Sequence, residues 1–216
     1  MSSPFGELVL RTDEARRDFD SRPVLIDAVA NGMKVERYRA FLLELYHVVW
    51  HFNPVSAAAA SRMPDTLRDV RYFLYEHMQE ESGHEQWVLN DLEAVGTPRA
   101  AATAHKPGPF TLGMTGYNYW AAERHHPASV LGMLYALEVV ASVYGGAFSS
   151  AIRESLLLDG DIGVSFISSH ESMDSQHIAE LREVVNKVGD PAALDAMVES
   201  AEMNFHHFGH MFETLP

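Results

Sequence analysis

Three stretches of the chain place metal-ligating side chains at helical spacing among apolar neighbours. A helix advances ~100° per residue, so each side chain has a place on a wheel. Val70, Phe73, Leu74, Val88, Leu92 and Val95 share one arc, and Glu81 and His84 fall inside it, as does His77. Glu76, Gln79, Gln86, Asn90 and Glu93 lie opposite. A second arc, of Phe166, Leu181, Val184, Val185 and Val188, holds His170, Asp174 and His177 at i, i+4 and i+7. A third stripe, of Leu134, Ala141, Phe148 and Ile152, has Glu138 at its edge. Polar groups on a core face cost several kcal/mol unless they are paired or ligated.

The set is Glu81, His84, Glu138, His170, Asp174 and His177. Carboxylates with imidazoles and no thiolate suit iron or manganese, with zinc as an alternative. Six such ligands are too many for one catalytic ion with an open position, and they suit two ions sharing a carboxylate. Glu-x-x-His alone is a weak signal, since it occurs three times: Glu44/His47, Glu81/His84 and Glu123/His126. Only the second lies centrally on an apolar arc, and His126 precedes Pro127, where a helix tends to break. The competing reading, satisfied core polar residues, holds well for any one of the six and is hard to sustain for all. His77 is read as a partner behind the ligands or as a plain core residue. Trp87, Tyr46, Tyr135 and Tyr144 could shape a cavity or simply fill the core. His206, His207 and His210 look like a cluster, but they lie opposite Val198, Ala201, Phe205, Phe208 and Phe212 and are expected to face solvent, with at most adventitious metal binding.

The elements that must position these residues read as helices. Spans are expected near 8–20, from Pro23 to Gly32, 35–62 with Pro54 kinking or interrupting it, 66–95, 113–125, 128–157, 164–188 and 192–212, with a loop over 97–112. This is an all-α fold of seven or eight helices in a single domain, residues 1–216. Lys and Arg number 16 against 30 Asp and Glu, a net charge of −14. Such a surface disfavours nucleic acid and anionic membranes. The chain has no cysteine, so disulfides and thiolate sites are absent. There is no signal-peptide pattern and no run of ~18 uncharged apolar residues. The expected location is cytoplasmic.

The order Glu81-x2-His84, a lone mid-helix Glu138, then His170-x3-Asp174-x2-His177 resembles the haem-oxygenase-like non-haem diiron oxidases and oxygenases, a family of iron-containing redox enzymes. It includes the undecene-forming fatty-acid decarboxylase, N-oxygenases of N-nitroso natural products and lysine-fragmenting desaturase-lyases. The resemblance implies a haem-oxygenase-like bundle, with two iron ions on those six residues. Manganese or a mixed iron–manganese pair is the alternative. It also implies O2 as cosubstrate and a small-molecule substrate of amino-acid or fatty-acid type, and it leaves open an external electron donor and a homodimer. Rival expectations are a ferritin-like diiron bundle using Glu44/His47 with Glu81/His84, a haem-handling protein with His47 or His51 as proximal ligand, and a non-enzymatic metal-dependent binding protein. Thiaminase-like relatives need a catalytic cysteine that this chain lacks.

Overall fold

A computed structural model of the chain describes residues 3–216, and the side chains of residues 171–175 lie outside the described set. The described residues form eleven α-helices and no strand: α1 Pro4–Arg11, α2 Asp13–Asp20, α3 Pro23–Asn31, α4 Val35–Arg62, α5 Arg68–Glu80, α6 His84–Ala94, α7 Arg99–Ala104, α8 Pro109–Arg124, α9 Ser129–Leu156, α10 Ser165–Val185 and α11 Pro191–Thr214. The all-α expectation holds, and three local events raise the helix count. The helix expected near 8–20 is two helices meeting at Thr12, whose φ of −93° and ψ of 0° leave helical geometry. The loop expected over 97–112 contains α7 and the start of α8. The helix expected over 66–95 breaks at residues 81–83, because Gly83 takes φ +94°, the left-handed region that favours glycine.

Prolines mark several starts. Pro4, Pro23, Pro109 and Pro191 each open a helix after an extended residue, where the missing N–H would have had no partner anyway. Pro54 behaves otherwise: α4 runs unbroken through it from Val35 to Arg62, forgoing one internal hydrogen bond.

Helix α9 is the axis of the bundle, packed by α10, α11, α3, α8 and α4. By length and composition it could cross a membrane, and half of its most apolar window is buried inside the bundle. Its contact with α11 is at backbone distance, since a Cβ built on Gly132 would lie 1.9 Å from the Met197 carbonyl oxygen. At one end of the core Phe41 meets Phe148 and Phe212, with ring centroids 5.4 and 5.0 Å away.

Gly132→Ala must push α9 off α11, and is expected to lower the unfolding free energy by about 1–3 kcal/mol in urea denaturation. Gly83→Ala adds a methyl group that meets nothing within 4 Å among the described residues. Its expected cost is about 1–2 kcal/mol, from the left-handed backbone alone. An unchanged midpoint for Gly132→Ala would show that the two helices have room to part.

Candidate metal centre

The break between α5 and α6 builds the centre of the site. Helix α5 stops at Glu80, Glu81 caps it with φ −78° and ψ −1°, and His84 is the first residue of α6. Folding back over this turn puts His84 Nδ1 2.7 Å from Glu81 Oε2. Glu138 comes from α9, and His170 and His177 lie two turns apart on α10. Two buried donor groups result, each with its ligating atoms within 4.8 Å of one another: His77, Glu81, Glu138 and His177, and then Glu81, His84 and His170. Glu81 belongs to both. Five of the six expected ligands therefore converge. The sixth, Asp174, has its side chain outside the described residues. His77, expected behind the ligands or in the plain core, stands among them.

Within the first group, His177 Nδ1 lies 3.3 Å from Glu138 Oε1 and 3.7 Å from Glu81 Oε1. His77 Nε2 lies 3.5 Å from the same Glu138 oxygen. In the second group His170 Nε2 is 3.7 Å from Glu81 Oε2, the oxygen that also meets His84. The described ion-pair partners of Glu81 and Glu138 are all histidines. Burial alone would push the Glu81 carboxyl up, but the hydrogen bonds and charges of His170 and His84 reverse this and hold it well below the usual carboxylate range. Burial lowers His77, with Glu138 and Glu81 opposing. His177 is raised, first by its hydrogen bond to Glu138 and against its own burial.

The donors fit metal ions. Both ring nitrogens of His77 are buried without a hydrogen-bond partner among the described residues, and its side chain is only 2% exposed. Such orphaned groups are costly, and a cation between His77, Glu138 and His177 would satisfy the Nε2 side. Carboxylate and imidazole donors suit iron, manganese or zinc.

Further contacts hold these donor side chains in place. His170 Nδ1 donates to the Phe166 carbonyl at 2.8 Å, which turns Nε2 toward Glu81. The Trp87 ring stacks on His84 at 4.1 Å. Asp91, 1% exposed, caps the start of α10: its Oδ1 accepts from the Ser165 amide at 2.9 Å and hydroxyl at 2.8 Å, and its Oδ2 from the Phe166 amide at 2.9 Å. Burial raises its carboxyl, with those hydrogen bonds opposing. Tyr38 donates to the Gly163 carbonyl at 2.8 Å just upstream. The sequence carried a signal for Asp91: it sits seven residues after His84, between Val88 and Val95 on the buried face.

Other candidates serve elsewhere. Glu44 accepts from the Gly108 amide at 3.0 and 3.1 Å and pairs with His105 Nε2 at 3.1 Å, so it ties the entry of α8 to α4. His47 Nε2 donates to the His105 carbonyl at 3.0 Å. His51 pairs with the Tyr119 hydroxyl at 3.0 Å. His126 Nδ1 accepts from the Ala128 amide at 3.2 Å beyond the helix break, and Glu123 is exposed. His206 is exposed as expected, whereas His207 and His210 are half-buried. Buried Arg22, which bonds Glu213 at 2.7 Å and Asp18 at 2.6 Å, draws His210 into its network, and His207 packs against Phe110 and Gly113 of α8. Tyr135 packs on Phe5 and Phe205 as core, and Tyr46 is likewise buried.

From the donor groups a cavity runs between α4 and α9. Phe52, near His77, and Phe166, against His170, stand at its metal end. Val48, Val49, Leu45 and Ala141 line its middle, and Phe41, Phe148 and Phe212 close the far end. Its described polar lining is Glu81, Glu138, His170 and Tyr144. The Tyr144 hydroxyl is taken up by Asp20 at 2.5 Å.

Comparison with known proteins adds the family. A domain of unknown function with a heme oxygenase-like fold from Shewanella denitrificans superposes with TM-score 0.83 at 23% identity, over 94% of this chain and 89% of that one. A TenA homologue from Pseudomonas syringae gives 0.79 at 13% identity, over 96% and 90%. A heme oxygenase from Synechocystis, in complex with heme and NO, gives 0.76 at 17% identity, over 99% and 85%. At these identities the likeness shows the fold, which is haem-oxygenase-like. No curated protein matches in sequence. Residues 39–207 match the iron-containing redox enzyme family, a span that holds every donor described above, and the chain belongs to that family.

Proposed function

We propose that the chain is a non-haem diiron oxidase or oxygenase that uses O2 to oxidise an elongated, largely apolar small molecule. One observation carries the reading: Glu81 is common to two buried donor groups, the arrangement two neighbouring ions need. Glu138, His77 and His177 would hold one ion, His84 and His170 the other, and Glu81 both. The family resemblance adds Asp174 on the same helix as His170 and His177. Two ferrous ions bound there would supply the electrons that reduce dioxygen.

The chain's own part is positional. The phenylalanine-lined cavity keeps water from the reacting end. Phe166 and Trp87 hold His170 and His84 in fixed orientation. Apart from Glu81, Glu138 and His170 at one end and the Tyr144 hydroxyl, the described wall is apolar, which favours a substrate with a long aliphatic chain over a free amino acid. From Glu138 to Phe148 the cavity follows ten residues of α9, ~15 Å at the helical rise.

The rivals fit less well. Glu44 and His47 are spent on the α8 entry, so the ferritin-like set is incomplete. His47 and His51 are not among the cavity-lining residues, and a porphyrin would bury Glu81 and Glu138 against its apolar face. A non-enzymatic iron-binding role shares the donors and is separated by turnover: ferrous protein that takes up no oxygen with any aliphatic ligand would favour it.

Anaerobic titration is expected to saturate near two ferrous ions per chain. Glu81→Ala is expected to lose both, while His84→Ala and His77→Ala each lose one. Ferrous iron at a hundred times its dissociation constant should stabilise the fold by about 2.7 kcal/mol per filled site. Saturation at one ion, unaffected by Glu138→Ala, would sink the dinuclear reading.

Substrate shape gives a second test, on zinc-loaded protein that cannot turn over. Calorimetry with octanoate, dodecanoate and hexadecanoate is expected to show a length optimum, with free lysine not binding. Ala141→Leu narrows the middle of the cavity and should move the optimum to a shorter chain, and Phe41→Leu at the far end should move it to a longer one. A common loss at every length would remove the claim that the cavity measures length.

A further inference from the structure

Glu80 is the last residue of α5 and the neighbour of Glu81, yet it belongs to neither donor group. Its side chain is 43% exposed, and on a continuous helix it would point into water. The break after it changes what it reaches. Glu80 Oε2 lies 3.7 Å from His177 Nε2 and 4.0 Å from His77 Nδ1. These are the nitrogens turned away from Glu138, which meets His177 through Nδ1 and His77 through Nε2. One carboxylate oxygen at the rim thus faces the rear of both imidazoles of the first group. The second group has another device, since His170 is oriented by the Phe166 carbonyl, a neutral backbone acceptor.

We infer that Glu80 is the positioning residue of one metal pocket only, biasing through its negative charge at these distances the tautomer and ring orientation of His77 and His177 together. An imidazole binds a cation through the nitrogen that lacks a proton, so an acceptor behind the ring keeps the proton at the rear and the lone pair at the front. A carboxylate in that place also raises the basicity of the ligating nitrogen. Glu80 can serve two rings at once because α5 ends there and its side chain crosses the mouth of the pocket, between His77 on its own helix and His177 on α10. Its other face is open to water, so holding it there costs little desolvation. The two pockets then differ in kind: one is backed by an anion at the surface, the other by backbone in the interior.

The inference rests on the dinuclear reading, and the same titration tells the two apart. Full-length protein is titrated anaerobically with cobalt(II), whose absorption bands and calorimetric steps report each site. Wild type is expected to give two steps. Glu80→Ala should weaken one step by about 10- to 100-fold and leave the other unchanged. Glu80→Gln keeps one carbonyl acceptor and should lose less. The metal-free melting temperature should match wild type in both variants, which shows that any loss is not unfolding. In a His77→Ala background the affected pocket is already damaged, so adding Glu80→Ala should cost less than it does alone. Two wild-type steps with neither changed in Glu80→Ala, or with both weakened alike, overturn the role given to Glu80. A wild-type chain that saturates at one cobalt overturns the dinuclear reading itself and this inference with it.

Discussion

Two glutamates, Glu81 and Glu138, stand at the end of a cavity lined mainly by apolar side chains, and the described groups that pair with them are imidazoles. A lysine or arginine would have neutralised each carboxylate permanently. Histidine does so conditionally, because each ring can take a proton or lend a lone pair. Burial penalises the charged forms on both sides, so the cluster is satisfied best when cations sit between the donors. The helix break at 81–83 serves the same cluster: it lets one carboxylate, at the end of one helix, meet an imidazole at the start of the next.

The bundle around this centre brings four helices to one place. Helix α9 carries Glu138 and is gripped along its length, at Gly132 close enough to α11 to forbid a side chain. Helix α10 carries two histidines and is pinned at its start by Asp91, seven residues after His84. The capping bonds therefore tie the helix that carries His84 to the helix that carries His170 and His177, and the backbone donors at the start of α10 satisfy a buried carboxylate. Helix α4 supplies no ligand. It gives one wall of the cavity on one face, and on another Glu44 and His47 secure the loop leading to α8.

Much of this was legible in the sequence, for reasons that can be named. Polar residues on an apolar arc are expensive, and Glu81, His84, Glu138, His170 and His177 showed themselves by that cost. Glu81 and His84 were placed together by assuming a continuous helix, and the true cause is a turn: Gly83 reads equally as a tolerated helix residue or as a left-handed break, and only the packing decides. On a continuous helix Glu80 falls outside the apolar arc, and that placement hides its approach to His77 and His177. Asp91 shared the arc with His84 but lacked a partner in the linear pattern, since its bonds go to backbone amides on another helix. His77 could not be ranked from the wheel, because a core histidine and a ligand have the same periodicity. Glu44 and His47 show the reverse case, a ligand-like spacing whose real business is holding a loop.

The cavity wall has a property apart from its shape. The chain contains ten methionines and no cysteine, yet no sulfur atom occurs among the described residues that line the cavity. Thioethers and thiols are the side chains that oxidants consume most readily. A chamber walled by phenylalanine, valine, leucine and alanine would present saturated or aromatic carbon to any reactive oxygen that the proposed chemistry forms at its end. The protein would then survive its own chemistry over many turnovers, since the most easily attacked molecule in the chamber is the guest and not the wall.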